Sequence, residues 1–268
     1  MGANTKLLRN RIKSVNSTLH LTKAMGLVAS SKIRRSSEYM AKSKQYLEAV
    51  DNIINALSSS PECKHSVYME QRDGEKTKLI VIAGDRGLAG GYNNNIFKLC
   101  AEYKGAEIIP IGKKVFEKYG GGYDSSERFS YSDAIEVSNA LCEEFKNGDF
   151  DRIGIIYTKY ESMMTQTASV YWLLPLTETE NSETYSMVFE PNEETVFQKA
   201  VPEYVAGVIW ACVCESFASE VAARRMAMDA ASKNAGQMID DLQLEYNRAR
   251  QSAITQEITE IIAGSNAT

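Results

Sequence analysis

"IKSVNSTLHLTKAMGLVASSKIRRS", residues 12–36, decides how this chain is to be read. It holds no acidic residue and no proline, and its apolar residues recur at alternating steps of four and three. Counted from Leu8, those steps give Ile12, Val15, Leu19, Thr22, Gly26, Ala29 and Ile33, then Ser36, Met40, Ser43, Leu47, Val50, Ile54 and Leu57. Eleven of these fifteen seam positions are apolar, and the register never slips. A 3.5-residue period held this long is a coiled-coil seam rather than the buried face of a globular helix. Fifty residues at the helical rise of 1.5 Å reach about 75 Å, so such a helix needs a partner of comparable length. Gly26 costs about 1 kcal/mol of helix propensity relative to Ala. Its place in a seam with Ala and Ser points to two backbones that approach closely; a tolerated surface glycine is the plainer alternative.

The partner lies at the other end of the chain. All five prolines and twelve of the seventeen glycines fall between positions 61 and 202, so both flanks are almost free of helix breakers. Pro202 and Glu203 suit the first turn of a second long helix. Its seam runs through Ala211, Cys214, Ala218, Val221, Met228, Ala235, Ile239, Leu242, Tyr246, Ala249 and Ala253, with Arg225 and Ser232 as polar interruptions. Near the end Ile254, Ile258, Ile261 and Ile262 take the pattern over. The expected fold is a long antiparallel two-helix coiled coil formed by both termini, with an inserted small Rossmann-like α/β domain. The segments are 1–60, 61–202 and 203–268.

Within the insert, "KLIVIAG" (78–84), "AEIIPIG" (106–112), "RIGIIYTKY" (152–160) and "TASVYWLLPL" (167–176) read as strands. Residues 92–105, "KKVFEKYGG" and 133–148 read as helices, and the acidic stretch 177–200 as a loop with a short strand or edge. Strand–helix alternation favours a largely parallel sheet covered by helices.

The net charge of −5 hides an asymmetry. Residues 1–60 carry ten Lys/Arg against three Asp/Glu, and the first acid in the chain is Glu38. A basic start of this kind calls for an anionic partner or a solvated face. The five cysteines form no CxxC pair and read as reduced thiols, and His20 and His65 lack zinc-ligand spacing. No run of eighteen apolar residues occurs, so no membrane span is expected. The turn "GDRGLAGGYNNN" (84–95) follows a strand and opens a helix, where α/β folds bind phosphate. Its glycines fit neither GxGxxG nor the P-loop, and a tight turn presenting Arg86 to a protein partner is the better reading. No nucleophile–base motif occurs, so no catalytic residue, cofactor site or metal site is assigned. Two other functions compete: a basic arm binding nucleic acid through Lys6, Arg9, Arg11, Lys13, Lys32, Arg34 and Arg35, and a nucleotide-binding enzyme built on the 84–95 turn. Against the first, the arm has no interleaved aromatics and the rest of the chain is acidic.

Three segments in order, residues 12–36, "GDRGLAGGYN" (84–93) and "LQLEYNRARQSAITQEITEIIAGS" (242–265), together strongly resemble the gamma subunits of bacterial F-type ATP synthases. The resemblance implies a non-catalytic rotor shaft with no cofactor, no nucleic acid and no small-molecule substrate of its own. Its implied partners are a ring of alternating alpha and beta subunits, the epsilon subunit and the c-ring. It couples ion flow through the c-ring to the catalytic cycle of beta. By resemblance, Lys23, Met25 and the loop carrying Arg86 lie near acidic levers of beta, and Arg250, Gln251 and Thr255 near a beta loop higher in the ring. The family places the complex on the cytoplasmic face of the inner membrane, and the lack of a transit peptide favours a bacterial source over an organellar one. Two departures stand out. Gly26 replaces a longer, often acidic side chain, and Ala89 replaces a cysteine of the glycine turn.

Overall fold

A computed structural model describes residues 3–72, 74, 76–177 and 188–265. Helix α1 (Ala3–Ser58) opens the chain and α5 (Glu193–Ser265) closes it. Between them run β1 (Thr77–Ile82), α2 (Tyr92–Cys100), β2 (Glu107–Ile111), α3 (Lys113–Tyr119), α4 (Tyr131–Lys146), β3 (Arg152–Tyr160) and β4 (Gln166–Leu174). The chain divides into two compact units, Met1–Ala29 with Arg225–Thr268, and Ser30–Arg224.

The paired-helix unit is antiparallel, as the sequence predicts. The hydroxyls of Thr22 and Ser232 share a hydrogen bond at 2.8 Å. Four residues on, a Cβ added at Gly26 would lie 3.7 Å from the Cβ of Met228 and 3.2 Å from Nη1 of Arg225. Gly26 is therefore buried where two backbones meet, not a tolerated surface glycine. These two pairs fix the register. Heptad spacing then sets Leu19 level with Ala235, Val15 with Ile239, Ile12 with Leu242 and Leu8 with Tyr246, and all eight side chains are buried or half-buried. The seam expected on α1 holds over its whole length, for none of its fifteen positions is exposed. On α5 the seam continues through Ala249 and Ala253, both half-buried. Ile254, Ile258, Ile261 and Ile262 do not take it over; they are 48–71% exposed.

The α/β unit is a three-layer body. Its sheet has the order β2-β1-β3-β4, with the first three strands parallel and β4 antiparallel to β3. Alternate side chains serve opposite faces. Leu79, Val81 and Ile156 pack on Ile96 and Cys100 of α2 and Val115 of α3. Ile80, Ile82, Ile153 and Ile155 pack on α4, on Ile54 and Leu57 of α1, and on α5 from Phe197 to Val213. β1 is buried along its entire length, as a central parallel strand requires. Helix α4 begins with a capping box, in which Ser130 and Asp133 bond each other's backbone amides.

Two expectations need correction. The second long helix starts at Glu193, so Pro202 lies inside it and residues 193–200 are helical rather than a loop. The start signal is Asn192, whose side chain accepts from the Thr195 amide at 2.8 Å, followed by Glu193 and Glu194 in the first turn. The possible strand or edge in the acidic stretch falls partly on 178–187, outside the described residues. Helix α5 also holds a window apolar and long enough to cross a membrane by composition alone; 89% of that window is buried inside the protein, as in a core helix.

Candidate functional site

The waist and the glycine turn carry the residues singled out above, in separate units. In the paired-helix unit, small side chains along both seams let α1 and α5 close up at Gly26. The narrowing leaves a groove of about 430 Å³ lined by Lys23, Gly26, Leu27, Arg225, Asp229 and Lys233. Its cations outnumber its one acid, and Asp229 is paired with Lys233 at 3.4 Å. Lys23 is exposed and Met25 half-buried, one step from the glycine. Leu21, Leu27 and Val28 are exposed on the same stretch of α1, so the waist shows apolar as well as basic groups. Higher on α5, Arg250, Gln251 and Thr255 are all exposed. The Thr255 hydroxyl donates to the Gln251 carbonyl at 2.9 Å, one turn back in the helix. Geometry in the described residues does not join these three to Lys23 and Met25; the seam register sets them about five to seven turns apart along the pair.

In the α/β unit the turn 84–91 sits at the carboxyl end of β1, where the strand order reverses between β2 and β3. That is the usual ligand crevice of an open α/β sheet. Here the crevice already holds a carboxylate. A Cβ on Gly84 would lie 2.8 Å from the carboxyl carbon of Glu220, a residue of α5 only 2% exposed. Burial pushes the Glu220 carboxyl up from its ordinary range, against the pull of Arg224. An acid in this place opposes a phosphate, which argues physically against the nucleotide-enzyme reading.

Asp85, the next residue, is an anchor. Its carboxylate accepts from the hydroxyl of Ser125 at 2.6 Å, from the amides of Ser126 (2.8 Å), Glu127 (3.1 Å) and Lys113 (3.1 Å), and from the hydroxyl of Ser126 (3.2 Å). Burial pushes its pKa up, but these hydrogen bonds outweigh that and hold it below the ordinary value. Arg86 follows, two-thirds exposed, 4.0 Å from Glu127. Glu127 is also paired with Lys32 of α1 at 2.6 Å. Lys32 and Arg35 rim a second groove, about 360 Å³, floored by Phe129, Trp210, Val213 and Phe217. The basic stretch 32–35 is thus partly paired within its own unit and partly open to solvent. Sequence reasoning missed Glu220 and Arg224, the latter 138 residues from Arg86; the only local signal was their i,i+4 spacing on a helix.

The fold matches chains in two structures of the Euglena gracilis mitochondrial ATP synthase, one of its OSCP/F1/c-ring and one of its rotor, with TM-scores of 0.70 and 0.65 (17% and 16% identity). Those matches cover 100% and 95% of this chain, and 95% and 100% of theirs. The ATP synthase family model matches residues 4–268. The ATP synthase gamma chain of Ruminococcus albus is 42% identical, with 98% of each chain covered. The sodium ion specific gamma chain of Acetobacterium woodii is 38% identical, with 100% of this chain and 99% of its own covered. This chain belongs to the ATP synthase gamma chain family.

Proposed function

We propose that the chain is the central rotor shaft of an F-type ATP synthase and does no bond chemistry itself. The observation that carries this is the conjunction of family membership along the whole chain with an antiparallel helix pair pinched at a buried glycine. The terminal helices turn inside a ring of alternating alpha and beta subunits, while the α/β unit meets the epsilon subunit and the c-ring. The complex sits on the cytoplasmic face of the cell membrane. Lys23 and Met25 at the waist, and Arg86 on its turn, meet acidic levers of beta. Arg250, Gln251 and Thr255 meet a beta loop higher in the ring. Exposed ion pairs at such contacts contribute about 0–1 kcal/mol each, so the surfaces engage without locking and one angle gives way to the next.

Co-purification tests the assignment. A tagged chain is expected to bring down three alpha, three beta and one epsilon subunit, with ATPase activity that drives ion pumping. Recovery of the chain alone, or bound tightly to tRNA in a salt-dependent way, contradicts it.

A further inference from the structure

The glycine turn is tied down from beneath by two residues of α5. Arg224 donates from Nη2 to the carbonyls of Arg86 and Gly87, both at 3.3 Å, and from Nε to Gly87 at 3.4 Å. Glu220 pairs with Arg224 one helical turn away, and its carboxyl group packs against Gly84 at the foot of the turn. On the opposite flank the Asn93 side chain accepts from the Gly84 amide at 2.9 Å and donates to the Arg86 carbonyl at 3.4 Å. The Arg86 carbonyl is therefore gripped from two sides, by Arg224 and by Asn93, while its guanidinium is two-thirds exposed. Leu88, two residues on, has φ +62 and is 62% exposed. A leucine in the left-handed region is strained by about 1 kcal/mol, and such strain persists only where the surroundings over-determine the backbone. The exposed side chain gains nothing from the chain's own core to offset it.

We infer that Glu220 and Arg224 are positioning residues that hold the 84–91 turn as a preformed contact element, presenting Arg86 and Leu88 together to an acidic partner with an apolar spot. The identity of that partner as beta rests on the proposed function; the clamp itself does not. Two N–H groups in the fixed fork of a guanidinium can span two carbonyls and a carboxylate, which a single ammonium cannot. Preformation matters for a contact remade at every step of a cycle, because a turn that had to be ordered each time would lose the ordering entropy from each encounter.

Arg224→Lys in the full chain keeps the charge beside Glu220 and so tests the grip without stranding a buried acid. Trypsin cleavage after Arg86 reports opening of the turn, and cleavage after Arg128 in the same unit serves as the internal reference. The expected result is about a tenfold faster cut after Arg86 with the Arg128 rate unchanged. An unchanged Arg86 rate, or a parallel rise at both sites, overturns the clamp. In the assembled ATP synthase, ions pumped per ATP are then compared for Arg224→Lys, Arg86→Ala and the double variant. If Arg224 acts through Arg86, the double variant matches Arg86→Ala alone; additive losses overturn that route. A silent Arg86→Ala beside accelerated cleavage would leave the clamp standing and sink the contact assigned to Arg86.

Discussion

In the paired-helix unit burial is confined to a narrow seam, with polar and apolar side chains alike turned outward, whereas the α/β unit covers both faces of its sheet with helices. The first unit buries Thr22, Gly26, Ala29 and Ala235 at positions where the second buries Phe145, Phe197 and Leu57. Small seam residues contribute little burial but allow close approach; large core residues contribute stability. The contrast teaches that the helix pair is built for close approach of its two backbones and the α/β unit for a large core.

Damage to the larger core should have the greatest effect. Phe145 is fully buried, stacked on Tyr68 with ring centroids 6.4 Å apart and capped by the Arg72 guanidinium. Phe145→Ala is expected to cost about 3–5 kcal/mol in urea unfolding followed by tryptophan fluorescence. A loss under 1 kcal/mol would erase the distinction between the units.

Asp85→Asn comes next. It keeps the shape but sets an amide against the amide and hydroxyl donors that the carboxylate accepts, and should cost about 2–3 kcal/mol at neutral pH. Because folding lowers the pKa of Asp85, its contribution is complete above the ordinary carboxylate value of about 4 and is lost as pH falls through the folded-state value. Wild type and variant should therefore converge in acid. A gap that stays constant to pH 2 would show that the charge is irrelevant.

At the waist, Gly26→Leu places carbons against Met228 and Arg225 and should cost about 1–2 kcal/mol, confined to the paired helices. Hydrogen exchange resolves the two units, and acceleration limited to 1–29 and 225–265 is the expected pattern. Deleting residues 251–268 should have the smallest effect, leaving the α/β unit within about 0.5 kcal/mol of its full stability. Its collapse in that truncation would contradict the division into separate units.

The helix pair was legible because a coiled coil writes its geometry into spacing. Thr22 and Ser36 stand in the seam although neither is apolar, and only the unbroken register reveals them. The parallel strands were legible as apolar runs ending in glycine or turn residues. Pro202 misled because proline usually marks a helix start. In this fold α5 runs through it, and its carbonyl accepts from the Ser138 hydroxyl at 2.5 Å. The four isoleucines after Ala253 misled in the other direction, since apolar character alone does not say which face of a helix finds a partner within the chain. The support of the Arg86 turn was not legible beyond the i,i+4 spacing of Glu220 and Arg224. It depends on Glu220 and Arg224 meeting residues 84–87 across the fold, and no periodicity records that meeting.

The pairing of the two ends can be tested by cross-linking. Thr22→Cys with Ser232→Cys places two thiols where hydroxyls now stand 2.8 Å apart, within reach of a disulfide under mild oxidation. Fast, near-complete bond formation in that variant, and none when Thr22→Cys is combined with Ala249→Cys, is the predicted result. Failure of the first pair, or equal bonding in the second, would contradict an antiparallel shaft locked in this register.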